Sequence, residues 1–263
     1  MGILQNSNAI PSAASAAAFY DHQIGQSVRL TGSDSSYLKL SSGSTSGNRV
    51  YWTLSFWVKR SAIGTSGNAQ MCGMFAGGNS DLTNSSGNSD TILGWTFYED
   101  AIYLNSQTTN MINQSTKKRR DPSAWMHLVI SANNGSGIAY INGVQEVSFS
   151  YDGGANTAWN SQNMFIGTRN TTNTNYFLEG YMAEVMMISH SSNAAVLTPS
   201  SFGETKNGIW IPKDISGLSN QDFYLKFENA SDLGNDSSGN NRDWTATNMG
   251  VDHQVLDSPT FGS

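Results

Sequence analysis

Few residues of this sequence have the types and spacings that chemistry needs, and the carboxylates come first. Two-carboxylate sugar hydrolysis requires acids roughly 5–10 Å apart across one bond. The nearest candidates are Glu179 and Glu184 in "YFLEGYMAEVMMIS". Five residues apart on a strand, they fall on opposite faces, roughly 17 Å apart, too far to share a substrate. His22, His127, His190 and His253 are scattered without metal-ligand spacing, and His127 alternates within a strand pattern, so it reads as structural. Gly43-Ser44-Thr45-Ser46-Gly47 has Thr where a nucleophile elbow needs Ser, and no helix follows it. No phosphate loop or dinucleotide fingerprint is present. The lone Cys72 lies in the apolar "AQMCGMFAGG" and reads as a small buried hydrophobe, with a reactive thiol as the alternative; an intrachain disulfide is excluded.

Binding chemistry has more candidates. Trp95, Tyr98 and Trp159 lie in or beside turn-rich stretches, where an aromatic face can stack on a sugar ring. Lys117, Lys118, Arg119 and Arg120 are the only charge run. It reads as a solvated loop, or else as a contact for an acidic neighbouring subunit or an anionic glycan. Asp232, Asn235 and Asp236 form a turn, with an oxygen-rich Ca²⁺ loop as the alternative. No cofactor is expected. The net charge of −6 argues against nucleic acid as the main partner, because phosphate binding needs a basic face.

No stretch approaches the roughly 20 apolar residues of a membrane span. The N-terminus lacks the basic start of a signal peptide, and Asn6 stands where myristoylation wants Ser or Thr. The chain is therefore expected to be made in the cytoplasm without a leader.

These residues must be held by strands. Charged residues are 13% of the 263, about half the usual share, and Ser, Asn, Thr and 26 Gly fill the gap. That mixture disfavours helices, while seven Trp can build a core. "QSVRLTG", "SYLKLSS" and "YWTLSFWVKR" alternate apolar and polar residues, so Trp52, Leu54, Phe56 and Val58 face a core on one side of a sheet. A hairpin turns near Glu99-Asp100, and "QSTKKRRDPSAW" is a basic loop closed by Pro122. Asn142-Gly143 makes a two-residue turn in which both positions need positive φ. Roughly ten to twelve strands without a long helix predict an all-β antiparallel sandwich. Residues 1–26 read as an anchoring arm. Its apolar residues Ile3, Leu4, Ile10, Phe19 and Tyr20 are too few for a core but enough to fill a groove on a partner.

The motifs Trp57-Val58-Lys59, Trp125-Met126-His127, Tyr140-Ile141-Asn142-Gly143, Ile166-Gly167 and Gly180-Tyr181-Met182-Ala183-Glu184-Val185 resemble the laminin-G-like, concanavalin A-like jelly roll, with Ala183 in place of the usual Asp. The string from "LTPSSFGETKNGIWIP" to "LGNDSSGNNRDWTATN" and "DHQVLDSPT" resembles a group of tailed-bacteriophage virion proteins that carry such a domain. The resemblance implies a jelly-roll domain over 27–230 and a C-terminal strand or docking segment over 231–263. It implies a non-enzymatic fibre or decoration subunit on the tail or capsid surface, assembled with other virion proteins and forming a homo-oligomer, with a trimer favoured. A lectin-like adhesin for host polysaccharide is the alternative main role, and a depolymerase a further one. Laminarinase-type hydrolases of this fold carry Glu-x-Asp-x-Glu on one strand, and no such string occurs here.

Overall fold

The computed structural model describes residues 19–41, 50–63, 70–71, 93–106, 111–150, 163–168 and 177–260. In chain order the strands begin with β1 (Ser27–Leu30), β2 (Tyr37–Leu40), β3 (Tyr51–Arg60), β4 (Gln70–Met71), β5 (Leu93–Tyr98) and β6 (Ala101–Ser106). The middle of the chain forms β7 (Met111–Lys118), β8 (Met126–Asn133), β9 (Ser136–Ile141), β10 (Val144–Ser150), β11 (Met164–Ile166) and β12 (Gly180–Ser189). The last are β13 (Gly203–Lys206), β14 (Ile209–Pro212), β15 (Gln221–Leu225), β16 (Thr245–Thr247) and β17 (Gln254–Val255). Helix among the described residues is confined to three single 3₁₀ turns.

The large sheet runs β10-β9-β8-β3-β12-β1-β17, with β15 also on β12. Every pairing in it is antiparallel. β1 and β15 share one side of β12, divided at a bulge between Ala183 and Met186. Opposite it lie β11-β2-β16 and β4-β5-β6-β7. The space between is filled by Trp52, Leu54, Phe56 and Val58 from β3, Met182, Val185 and Met187 from β12, and Leu38, Phe97, Leu104 and Ile166 from the facing strands. Alternation in β3 thus sends the expected four side chains inward, and the all-β antiparallel sandwich follows.

Two-residue turns with both φ positive set the hairpin registers: Glu99-Asp100, Asn134-Gly135, Asn142-Gly143 and Asn207-Gly208. Mirror-image turns of this kind match the twist of the strands they join.

Three features depart from the sequence reading. First, the outer face of the large sheet is also covered. Residues 193–218, including the β13–β14 hairpin, bring Phe202, Ile215, Leu197 and Leu218 onto Val129, Met186, Ile188 and Tyr224. Thr53 and Ser55, polar and outward by alternation, are buried because they bond His190 and His127, each at 2.8 Å. Second, Lys117 and Lys118 belong to strand β7 rather than to a loop. Third, residues 19–26 lie on the domain. Ile24 packs with Trp57 and Ala183. Its backbone N–H donates to Thr260 Oγ1 at 3.0 Å, and its carbonyl accepts from Ser258 and Thr260. Residues 19–26, read as part of the arm, are thus packed on the domain. The segment after 231 is built in as well, β16 pairing with β2 and β17 with β1.

Candidate functional site

On the outer face of the large sheet, the edge formed by β8, β9 and β10 is not covered completely. A groove of about 560 Å³ runs there between the sheet and residues 193–198. Alternation supplies its floor: inward residues Ala132, Ala139 and Phe149 join the core, so Asn133, Ile138, Tyr140, Ser148 and Ser150 line the outside. The wall is tied down by two bonds. Ser131 Oγ donates to the Leu197 carbonyl at 2.6 Å, and Leu197 N–H donates to Thr53 Oγ1 at 3.2 Å. At the mouth the Asn134-Gly135 turn joins β8 to β9. Gly137 lies so close under the Phe149 ring that a Cβ would strike it.

The groove presents one half-buried phenol ring, apolar Ile138, Val196 and Leu197, and a set of hydroxyls and amides. Among the described residues its lining holds no carboxylate, imidazole, amine or guanidinium. These described residues can hydrogen-bond and stack.

Ionisable chemistry is concentrated elsewhere and is internally satisfied. The bulge puts Glu184 in the left-handed region at φ 48°, an uncommon place for a non-glycine residue. Its carboxylate accepts from Tyr224 OH at 2.7 Å and pairs with His22 Nε2 at 2.6 Å. The Glu184 hydrogen bond raises the His22 pKa, and burial raises that of Tyr224. Because of the bulge, strand parity no longer sets Glu184 opposite Glu179. The two carboxylates have different partners, Glu179 Oε1 accepting from Gly32 N–H at 2.6 Å.

His127 is buried between Trp57 and Trp210, with ring centroids 4.6 and 6.0 Å away. Its Nδ1 accepts from the Trp210 indole at 3.1 Å, so Nε2 carries the proton towards Ser55. Burial pushes its pKa down to about 3, and the ring stays neutral. The structural reading of this histidine holds.

The other sequence candidates are dispersed. Trp95 and Tyr98 occupy β5, in register with Leu104 and Ala101, on the sheet opposite the groove. Their side chains lie outside the described residues, as do Trp159, Cys72, residues 43–47, and Ile3, Leu4 and Ile10 of the arm. Phe19 meets Tyr20 edge-on at 4.9 Å and lies under Lys206 Nζ at 5.7 Å. The basic run is drawn to acids of its own chain. Lys117 and Arg119 reach Glu146, Lys118 reaches Glu99, and Arg120 reaches Asp100, which also holds the fully buried Arg60. Asp236 is the hub of a turn. Its oxygens accept from Tyr224 N–H, Ser238 N–H and Oγ, and Arg242 N–H. Those donors leave it no lone pair facing a cation, and no metal-binding group of three His, Cys, Asp or Glu occurs among the described residues.

Sequence reasoning missed the groove. Tyr140 was visible inside its hairpin motif, and its outward parity was available from the alternation of "SGIAYI". What the pattern could not supply was the wall, contributed by residues more than fifty positions away.

Comparison with known proteins places the architecture. Residues 31–197 match the family model of the concanavalin A-like lectin/glucanases superfamily. No match is found among curated proteins. A candidate carbohydrate-binding protein from Bacteroides ovatus superposes with a TM-score of 0.54 at 12% identity, over 86% of this chain. The chain spans 59% of that protein's length. Domain 4 of the arabinanase AbnA from Geobacillus stearothermophilus, solved with arabinotriose, gives 0.43 at 23% identity, covering 68% of this chain and 76% of that one. Mouse laminin α1 domains LG4-5 give 0.44 at 10%, covering 75% and 45%.

Proposed function

This chain belongs to the concanavalin A-like lectin/glucanases superfamily, and we propose that it is a lectin-like, non-enzymatic protein of a tailed-phage virion that binds carbohydrate on the host surface. The observation that carries the binding part is the groove beside Tyr140. It sets the Tyr140 ring, part-buried against the outer-face cluster, beside hydroxyl and amide groups, the combination that sugar rings and their hydroxyls call for. The lack of carboxylates among its described lining residues supports binding without cleavage, since glycoside hydrolysis needs an acid and a second carboxylate at the bond. The virion setting rests on the C-terminal string that resembles phage virion proteins. Residues 1–18 are the proposed attachment to neighbouring subunits.

The test is direct. Purified protein is expected to be retained by host surface polysaccharide and to release no reducing ends from it. Release of reducing ends that Glu184→Gln abolishes would overturn the non-enzymatic reading. Particles carrying a chain without residues 1–18 should lack this protein; normal occupancy would move the anchor elsewhere.

A further inference from the structure

The described lining of the groove is neutral. Of the residues that line it, none is Asp, Glu, Lys, Arg or His. Its polar groups, several of them exposed, fall into two sets. One set is spent on the frame: Ser131 holds the wall at Leu197, Ser136 Oγ bonds the Asn133 carbonyl at 3.0 Å, and Ser148 accepts from Gln145 at 3.0 Å. The other set has no protein partner among the described residues: the Tyr140 hydroxyl, the side-chain amides of Asn133 and Asn193, and the Ser150 hydroxyl. An amide presents a donor and an acceptor side by side. Each sugar hydroxyl likewise donates and accepts, so a pair of neighbouring hydroxyls can be met by one Asn.

The rest of the molecule argues against an anionic ligand. A carboxylate drawn into this groove would shed hydration and find no cation to replace it. The cationic run that might have steered an acidic polymer is drawn to Glu99, Asp100 and Glu146 of its own chain, and the chain as a whole carries −6.

Resting on the carbohydrate-binding reading, we propose that this groove selects uncharged oligosaccharide and rejects chains of uronic or sialic acid. The Tyr140 ring, with Ile138 and Leu197, receives the apolar face of a sugar ring. Asn133 and Asn193 take its hydroxyls.

The full chain is titrated calorimetrically with a panel of neutral gluco-, manno-, galacto- and arabino-oligosaccharides, and with length-matched oligogalacturonate and oligosialate. At least one neutral ligand should bind, with an affinity unchanged between low and high salt. Tyr140→Ala and Asn133→Ala should each weaken it about tenfold. Tyr140→Phe keeps the packing and should lose less than the alanine variant. Ser148→Lys should confer affinity for the acidic ligands. If acidic ligands bind the unaltered chain as tightly as neutral ones, the selectivity is overturned while the carbohydrate-binding reading stands. If neutral binding survives both alanine variants, the groove is not the site. If no member of either panel binds, the carbohydrate-binding reading itself falls.

Discussion

Gly143 occupies the second position of a turn in which both central residues have positive φ, 49° at Asn142 and 78° at Gly143. A Cβ there would also run into the Trp210 ring. Gly143→Val should therefore cost about 1–2 kcal/mol from the backbone alone, and more from displacing Trp210. Urea unfolding would show it as a lowered midpoint at constant slope; an unchanged midpoint would mean that another turn geometry is accessible. Trp210 leads to His127, the second residue-scale prediction. A histidine with pKa about 3 when folded and about 6.5 when unfolded binds more protons in the unfolded chain between those values. Its contribution is fully present above pH 6.5 and drains away as pH falls towards 3, at about 1.4 kcal/mol per pH unit. His127→Gln should flatten the acid limb of a stability-against-pH curve by about that slope, even if it lowers stability overall.

At the scale of elements, the sandwich is stapled by the buried pair of Arg60 on β3 and Asp100 in the β5–β6 turn, 2.9 Å apart and 0% and 2% exposed. Arg60 also donates to the Arg119 carbonyl at 2.6 Å and lies over Phe97. Arg60→Met removes the buried cation from Asp100, and should cost about 3–5 kcal/mol. Arg120→Ala, at the same carboxylate but 65% exposed, should cost at most about 1 kcal/mol. Equal losses in thermal unfolding would contradict this account of the pair. The contrast marks what the sequence could reveal. β3, the Glu99-Asp100 hairpin and the Asn142-Gly143 turn were legible because alternation and turn chemistry are local. Asn207-Gly208 carries the same local turn signal for the β13–β14 hairpin. The second layer was hidden for a physical reason. Thr53 and Ser55 look solvent-facing by type, and only histidines 137 and 72 positions away account for their burial. The charge run failed likewise, since its partners Glu99, Asp100 and Glu146 come from other strands and turns. The groove shares that fate, for one side of it is a wall brought in by tertiary contact.

At the scale of the whole molecule, the beginning and end of the described chain clasp each other on the outer face. Asp257 pairs with Lys59 and accepts from the Trp125 indole at 3.0 Å. Ser258 and Thr260 then hold the Ile24 backbone, while His22 reaches Glu184. Ile24 is 4% exposed, and burying such a side chain is worth about 1.5–3 kcal/mol. Removing residues 1–26 takes away both anchors and leaves Glu184, Ser258 and Thr260 short of partners; removing 1–18 takes away neither. The longer truncation should thus be less stable than the shorter by about 2 kcal/mol or more, and identical midpoints would mean that residues 19–26 contribute nothing. The clasp should also respond to pH, in the opposite sense to His127. The Glu184 hydrogen bond raises the folded pKa of His22 above its unfolded value, so the folded chain binds the extra proton. That stabilisation is fully present below about pH 6.5 and is lost as pH rises through the folded value. The stability gap between the unaltered chain and His22→Gln should accordingly be widest in mild acid and close on the alkaline side. A gap that instead widens with rising pH would mean that the His22–Glu184 contact does not depend on the imidazolium charge.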